Sequence, residues 1–208
     1  DFDLFGITLQ HELTFTNVEI DGVIPQGAGE GSDFAFHYWT TGENTITFTG
    51  CSLVGCRTGA WCWCNGDNVE FSFIDSLVVA ETGVQRDHSA VNSDGLLRII
   101  GSTMIGGSGS TTSRAVYGEG TRPLIIHASH FMSGLVEGEY NDEGVVYVRD
   151  WQPNNGIPTE PVTITSSIVE GGSRGIRIES PEGEVEVDIF NCTIIAMDES
   201  THEIGIET

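Results

Sequence analysis

The sequence contains no lysine, and eight arginines are its only strongly basic residues, against 31 aspartates and glutamates and a formal net charge of −23. Nucleic acid is therefore disfavoured as a partner, because phosphate binding requires a basic footprint. The acidity itself has two interpretations that composition leaves open. It fits a surface that keeps the protein soluble. It also fits adaptation to high salt, where screening removes the self-repulsion of so many carboxylates.

Long apolar runs and helical periodicity are also missing. No segment approaches the ~20 apolar residues that a membrane-spanning helix needs, so we do not expect the chain to span a bilayer. No stretch shows an apolar period of about 3.6 residues, and we predict little or no helix. The five cysteines form no CxxC framework. Their number therefore does not fix a redox compartment, and the state of Cys56, Cys62 and Cys64 stays open.

What the sequence does contain is one short unit that occurs seven times. Its copies read LTFTNVEIDG (13–22), ITFTGCSLVG (46–55), FSFIDSLVVA (71–80), LRIIGSTMIG (97–106), LIIHASHFMS (124–133), VTITSSIVEG (162–171) and VDIFNCTIIA (187–196). Such internal repetition decides the architecture before any other feature is considered.

The copies agree in three columns, which we predict to face the interior. A small column comprises Val18, Cys51, Ser76, Ser102, Ser129, Ser166 and Cys192. Two positions later, an apolar column comprises Ile20, Leu53, Val78, Met104, Phe131, Ile168 and Ile194. A second apolar column stands three positions before the small one, at Phe15, Phe48, Phe73, Ile99, Ile126 and Ile189. In this alignment the sixth copy is one residue shorter and places Ile164 there.

A weaker unit lies between successive copies, with inward positions predicted at Ile7, Phe36, Trp61, Val91, Val116, Val146, Ile176 and Ile204. Each repeat thus holds one short strand, a turn, and a bent pair of strands around a small residue. Since no coil can bury its inner face alone, stacking must supply the core. The sequence therefore predicts an all-β parallel β-helix of about seven coils over residues 1–208, a single domain that is part of a longer chain or assembly.

This pattern resembles the right-handed, pectate-lyase-like parallel β-helix superfamily over nearly the whole chain. The resemblance implies a right-handed coil but selects no function, since members include polysaccharide lyases, hydrolases, phage tailspikes, adhesins and structural shafts. The lysine-free, acid-rich composition is similar to that of proteins from halophilic archaea and their viruses.

Residues between the inward positions of the weaker unit are expected to face outward. They give a candidate glycan-binding face made of His37, Trp39, Asn92, Tyr117, Tyr147, Arg149, Arg177 and Glu179. The resemblance implies that sugar chains lie along such a face. The alternative is an ordinary solvated strand face, whose residues must be polar in any case.

Two smaller groups on this face are candidates for chemistry. Asp94 and Glu119 are predicted to be stacked neighbours about 5 Å apart, near the separation of the two carboxylates of a retaining glycosidase. In so acidic a chain, chance alone also brings carboxylates together. His37, Cys62 and Cys64 offer ligands of the kind zinc takes, although a fourth is missing. A register one residue out instead turns Trp61 and Trp63 outward and buries both cysteines. No cofactor is predicted.

One further column is apolar although alternation places it outside: Val54, Val79, Ile105, Met132, Val169 and Ile195. An apolar stripe along a lone soluble rod is unfavourable. We therefore expect it to form an interface between chains, or else to be covered by a loop or terminal segment.

Together these features favour a non-catalytic structural protein: an extracellular spike, shaft or adhesin of a cell surface or virion. Its expected partners are copies of itself or other chains of an assembly, and surface glycans. The alternative is a polysaccharide lyase or glycoside hydrolase that uses the same outward face.

Overall fold

The structure, a computed structural model, describes residues 3–7, 11–21, 34–40, 44–55, 58–64, 69–80, 88–93, 95–107, 113–119, 123–133, 144–149, 161–171, 174–179, 186–195 and 204–207. These residues form 22 β-strands and no helix. None of the described segments is therefore a helix that could cross a membrane. All strand pairs within the three sheets are parallel, which confirms the predicted all-β parallel solenoid.

Sheet 1 is built from the weaker unit and has eight strands. They are β1 (Asp3–Ile7), β4 (Phe34–Thr40), β7 (Thr58–Cys64), β10 (His88–Ser93), β13 (Ser113–Glu119), β16 (Val146–Arg149), β19 (Arg174–Glu179) and β22 (Ile204–Glu207). Strands that are three apart in the chain lie side by side, so each turn of the chain adds one strand to this sheet.

The stronger unit forms the other two sheets, of seven strands each. Sheet 2 contains β2 (His11–Thr16), β5 (Asn44–Thr49), β8 (Val69–Ile74), β11 (Leu96–Ile100), β14 (Leu124–His127), β17 (Val162–Thr165) and β20 (Val187–Phe190). Sheet 3 contains β3 (Glu19–Asp21), β6 (Ser52–Gly55), β9 (Leu77–Ala80), β12 (Thr103–Gly106), β15 (His130–Ser133), β18 (Ile168–Glu170) and β21 (Thr193–Ile195).

The core consists of ladders of like residues on successive turns. The predicted column from Phe15 to Ile189 is in continuous register across sheet 2, with Ile164 in its sixth place. The rings of Phe15 and Phe48 stack with centroids 4.9 Å apart, and those of Phe48 and Phe73 with centroids 5.1 Å apart. Parallel stacking of neighbouring turns thus brings equal side chains into contact, as the repeat predicts.

A sharp corner joins sheets 2 and 3, and it requires a left-handed backbone. Immediately before each small residue stands one with φ between 48° and 63°: Asn17, Gly50, Asp75, Gly101, Ala128, Ser166 and Asn191. Glycine, asparagine and aspartate tolerate this region best, which accounts for five of the seven identities.

This corner corrects the predicted alignment of the sixth copy. Ser166 occupies the left-handed corner position, while Ser167, 2% exposed, fills the small column. Val169 pairs with Phe131 and Ile194 and is fully buried, whereas Ile168 is 42% exposed. The sixth copy is therefore not shorter. The sequence offers two adjacent serines for the small column and two adjacent aliphatic residues for the apolar column. Because Ser166 takes the left-handed corner position, Ser167 fills the small column and Val169 fills the apolar column.

The corner gives a first stability prediction, for Gly101→Ala. At φ 61° a Cβ is strained, and it would also lie too close to Oδ1 of Asp75 on the preceding turn. We expect a loss of about 1–2 kcal/mol in the free energy of unfolding. Gly118→Ala is the matched control, because its Cβ would meet Val148 at an ordinary 3.8 Å. Urea denaturation measures both, and equal losses would contradict the assignment of strain to the corner.

Candidate functional site

The outward face of sheet 1 brings most of the predicted glycan-binding residues together. One register row runs through His37, Trp61, Asn92, Tyr117, Tyr147 and Arg177. In the adjacent row, Trp39 pairs with Trp63. Further along this row Glu119 pairs with Arg149, and Arg149 pairs with Glu179. Adjacent members of a row are separated by about 4.8 Å, the ordinary strand spacing.

Three turns of sheet 1 depart from the predicted inward column. In the first, Ile7 pairs with Thr40, and in the last, Ile206 and not Ile204 pairs with Ile176. The third turn takes the alternative register, one residue away. Ala60, not Trp61, pairs with Phe36 and Val91 in the inward column. Trp61 is therefore beside His37, and Cys62 is fully buried. The reason is volume: Phe36, Tyr38, Phe71 and Phe73 already fill this part of the interior, so small residues must occupy β7.

This register separates two members of the predicted zinc site, His37 and Cys62. Cys62 points into the core, and the His37 ring instead stacks on Trp61 with centroids 5.3 Å apart. The side chain of Cys64 lies outside the described part of the chain. Among the residues that the structure describes, no group of three or more His, Cys, Asp or Glu residues is placed to hold a metal ion.

The proposed acidic pair stays a prediction. Asp94 lies outside the described residues. The backbone of Glu119 pairs with that of Arg149, but its side chain is also outside the description. Trp39 is in the same situation, with its backbone beside Trp63.

Two neighbouring tyrosines, whose rings are tilted by 34° to each other, form a group with nearby arginines on this face. The rings of Tyr117 and Tyr147 have centroids 5.5 Å apart. The guanidinium carbon of Arg114 lies 4.4 Å from the Tyr117 centroid and 5.3 Å from that of Tyr147, and Arg177 lies 5.4 Å from the latter. These are cation–π distances. We name Arg114, Tyr117, Tyr147, Arg149, Arg177 and Glu179 the tyrosine–arginine cluster.

The carboxylate of Glu179 contacts three other members of this cluster. Its Oε2 accepts a hydrogen bond of 2.7 Å from the Tyr147 hydroxyl and lies 3.6 Å from Nε of Arg149. Its Oε1 forms an ion pair with Arg177. The side chains of Arg149 and Glu179 are 38% and 32% exposed, and that of Arg177 is 20% exposed. Arg114 and Tyr147, 4% and 3% exposed, form the buried floor.

The surroundings of Tyr147 raise the pKa of its hydroxyl from 10.0 to about 12. Burial is the largest cause, followed by the hydrogen bond to Glu179 and the negative charge of that residue, while Arg149 and Arg177 act in the opposite direction. The neutral phenol is thus favoured by the fold.

This shift predicts how stability changes at alkaline pH. Because the folded pKa is raised, the contribution of Tyr147 is complete below the unfolded value of 10.0 and is lost as pH rises through about 12. The phenolate absorbance is measured against pH for the wild type and for Tyr147→Phe. The difference between the two curves reports the titration of Tyr147 alone among the four tyrosines. A difference curve centred near the unfolded value would contradict the buried hydrogen bond.

Arg114 is a member of this face that the predicted alternation missed, and Trp61 was placed there only by the alternative register. Two consecutive residues point inward at the start of most of these strands, as in Ala35–Phe36, Ala90–Val91 and Ala115–Val116. The break in alternation places Arg114 and Tyr117, three residues apart, on the same side. The sequence contained a signal of this break in alternation. Ala, Gly or Val stands immediately before the inward residue of successive strands, at Ala35, Gly59, Ala90, Ala115, Val145 and Gly175.

The apolar stripe of sheet 3 is shorter than predicted. Val169 faces the core, and Glu170 takes its place beside Met132. The outward row therefore reads Asp21, Val54, Val79, Ile105, Met132, Glu170 and Ile195. Glu170 is paired with His130 at 3.0 Å. Four apolar residues remain contiguous, on β6, β9, β12 and β15.

Comparison with known proteins gives no relative for this arrangement. No family model, no curated protein and no solved structure matches the chain. The parallel β-solenoid is thus established by the strand pairing of the chain itself.

Proposed function

We propose that this protein is a non-catalytic, glycan-binding β-solenoid that serves as a spike, shaft or adhesin in an extracellular or virion assembly. One observation carries the proposal: ring-bearing side chains occupy four of the six places in a single outward row of sheet 1, namely those of His37, Trp61, Tyr117 and Tyr147. His37 and Trp61 are in contact and only half-buried, and Tyr117 continues the row two strands further on.

A row of this kind suits a sugar polymer for physical reasons. Aromatic rings offer flat apolar faces with a polar group at the edge, which matches the alternating character of a sugar ring. The rings lie on strands of a stacked core, so they lose little freedom when a ligand binds. The row also extends along the solenoid axis, which suits an elongated ligand.

Binding measured on a glycan array and by calorimetry tests the proposal, with Trp61→Ala as the main variant. Loss of one aromatic contact of about 1 kcal/mol weakens binding roughly five-fold or more. Phe190→Ala is the matched control, since Phe190 is a 74% exposed aromatic residue on sheet 2. Absence of any glycan ligand contradicts the proposal. Release of reducing ends or unsaturated sugars would instead support the lyase or hydrolase alternative.

Assembly is the second part of the proposal, and the surface of sheet 3 supports it. The outward positions of β6, β9 and β12 are Ser52, Val54, Leu77, Val79, Thr103 and Ile105, none of them charged, in a chain of net charge −23. Two such chains repel each other least where carboxylates are absent. We take the occupant of this face to be another copy of the chain.

Sedimentation in molar salt tests this assembly. Ile105→Glu is expected to convert the associated species to monomer, because it places a charge in the centre of the apolar row. Thr163→Glu, at an outward position of sheet 2, is the control. A wild-type monomer at all concentrations contradicts self-association but leaves glycan binding untouched.

The acidic surface and the resemblance to pectate-lyase-like and haloarchaeal proteins support a setting of high salt outside the cell. Screening over about 3 Å at 1 M salt removes most of the repulsion between the carboxylates. A midpoint of thermal unfolding that rises with potassium chloride up to molar concentration is the expected observation.

A further inference from the structure

We propose that Asn191 is an acceptor for N-linked glycosylation, at the exposed corner between β20 of sheet 2 and β21 of sheet 3. Asn191, Cys192 and Thr193 form the one Asn-x-Ser/Thr sequon among the 208 residues. The site shares with the proposed function only the extracellular setting, since this modification belongs to exported chains. It does not depend on glycan binding by sheet 1.

The corner exposes the two side chains that the modification requires and buries the residue between them. Asn191 has a left-handed backbone, with φ 54°, and is exposed. Thr193, the first residue of β21, is also exposed. Cys192 packs against the core, and its Sγ donates to the carbonyl of Ile164 at 3.3 Å. Burial of the middle residue is therefore no obstacle, because a transferase needs access to the amide of Asn191 and the hydroxyl of Thr193.

The acceptor nitrogen makes a long contact at the surface. Nδ2 of Asn191 donates to the hydroxyl of Ser166 on the preceding turn at 3.4 Å, and this contact is exposed. The distance exceeds the usual range of about 2.7–3.2 Å for an N–H···O hydrogen bond. A transferase therefore reaches Nδ2 without breaking a buried hydrogen bond.

An exposed aromatic ring lies next to the acceptor in the chain. Phe190, 74% exposed, is the most exposed large hydrophobic residue that the structure describes. It lies at an outward position of sheet 2, where its backbone pairs with Thr165. A sugar ring offers an apolar face to an aromatic ring. Phe190 thus gives the first sugar on Asn191 a surface on which to pack.

The donor of the group transfer is a glycan linked through its anomeric carbon to a polyprenyl phosphate or diphosphate. Nδ2 of Asn191 attacks that carbon, a C–N bond forms, and the C–O bond to the phosphate breaks. The polyprenyl phosphate leaves with the bonding electron pair, and the proton of Nδ2 passes to a base of the transferase. The product is a neutral amide that carries a bulky, solubilising group at the surface.

The first turn contains a matched corner without a sequon. Asn17 is exposed and has φ 55°, but Glu19 stands where the seventh turn has Thr193. Asparagine suits this backbone at both corners, so Thr193 is what distinguishes the proposed acceptor. Glu19→Thr therefore creates a second sequon in the same local geometry.

The test is secretion of the full chain from yeast behind a cleavable signal, followed by mass spectrometry of tryptic peptides. Because Arg177 is the last basic cleavage residue, Asn191 lies in the peptide 178–208, whereas Asn17 lies in 1–57. We expect a glycan on 178–208 that peptide-N-glycosidase removes. Thr193→Val is expected to abolish it while keeping the β-branched shape, and Thr193→Ser to retain it.

Glu19→Thr supplies the control for geometry, with an expected second glycan on 1–57. Modification at Asn191 but not at Asn17 in this variant would contradict the role given to the exposed corner. A secreted, folded wild-type chain with unmodified Asn191 overturns the inference. Glycan binding by sheet 1 is measured separately on unglycosylated Thr193→Val, so failure of one proposal is distinguished from failure of the other.

Discussion

Phe48→Ala is expected to lower the free energy of unfolding by about 3–5 kcal/mol, the largest effect of any single substitution considered. Phe48 is fully buried, stacks between Phe15 and Phe73, and meets Phe36 edge to face with centroids 4.8 Å apart. Truncation leaves a cavity that touches the turns before and after it. Because each turn of a solenoid is stabilised by its neighbours, both interfaces are weakened together.

Two variants test this explanation by chemical denaturation. Phe48→Leu keeps an apolar side chain of intermediate volume and is expected to cost about half as much or less. Phe15→Ala removes the same ring type one turn away, where the residue is only partly buried, and is also expected to cost less. A loss below about 1 kcal/mol for Phe48→Ala would contradict a close-packed aromatic stack.

The stronger repeat predicted sheets 2 and 3 almost completely, and the reason is redundancy. Each inward column is supported by several copies, so one uncertain residue does not alter the fold. The error at Ser166 arose where two adjacent serines and two adjacent aliphatic residues fit the pattern equally. A backbone requirement, the left-handed corner, separates Ser166 from Ser167. The residue types at the corner position predict a left-handed backbone only where that position holds glycine or asparagine, and in the sixth copy it holds serine.

Sheet 1 was harder to predict because its units are weaker. In the segment AWCWC (60–64), one register places Trp61 and Trp63 inside, and the other places Ala60, Cys62 and Cys64 inside. Hydrophobicity favours the register that buries the tryptophans. The structure instead buries Ala60 and Cys62, because rings from neighbouring strands already occupy the interior. Register there depends on volume shared between sequence-distant residues, which no single strand reveals.

The candidate site followed from the register only in part. Tyr117, Tyr147, Arg149, Arg177 and Glu179 share the predicted face. Their contacts with one another depend on rotamers, and Arg114 joins them through a local break in alternation. The alternation of residues along a strand therefore predicts which residues share a face of the sheet. It does not predict which of their side chains contact one another.

Hydrogen bonds also run along the solenoid axis through the small column. The backbone N–H of Cys51, Ser76, Ser102 and Ser129 each donates to the hydroxyl of the next turn, at 3.0 to 3.2 Å. Each serine hydroxyl of this series donates in turn to a carbonyl two residues before it, at 2.8 or 2.9 Å. The serines of this column are therefore required as acceptors, beyond being small.

Ser102→Ala is accordingly expected to cost about 1–3 kcal/mol, because the buried N–H of Ser76 loses its acceptor. The carbonyl of Ile100 keeps the bond it accepts from Asp75, so the penalty falls on one donor. Hydrogen exchange gives the specific readout: the Ser76 amide should exchange faster, while the Leu77 amide, bonded to the carbonyl of Cys51, changes less. Ser166→Ala, at the exposed corner, is the control, with an expected change within about 0.5 kcal/mol. Unchanged protection at Ser76 in Ser102→Ala would show that close packing of small residues, and not this axial chain of hydrogen bonds, is what the column contributes.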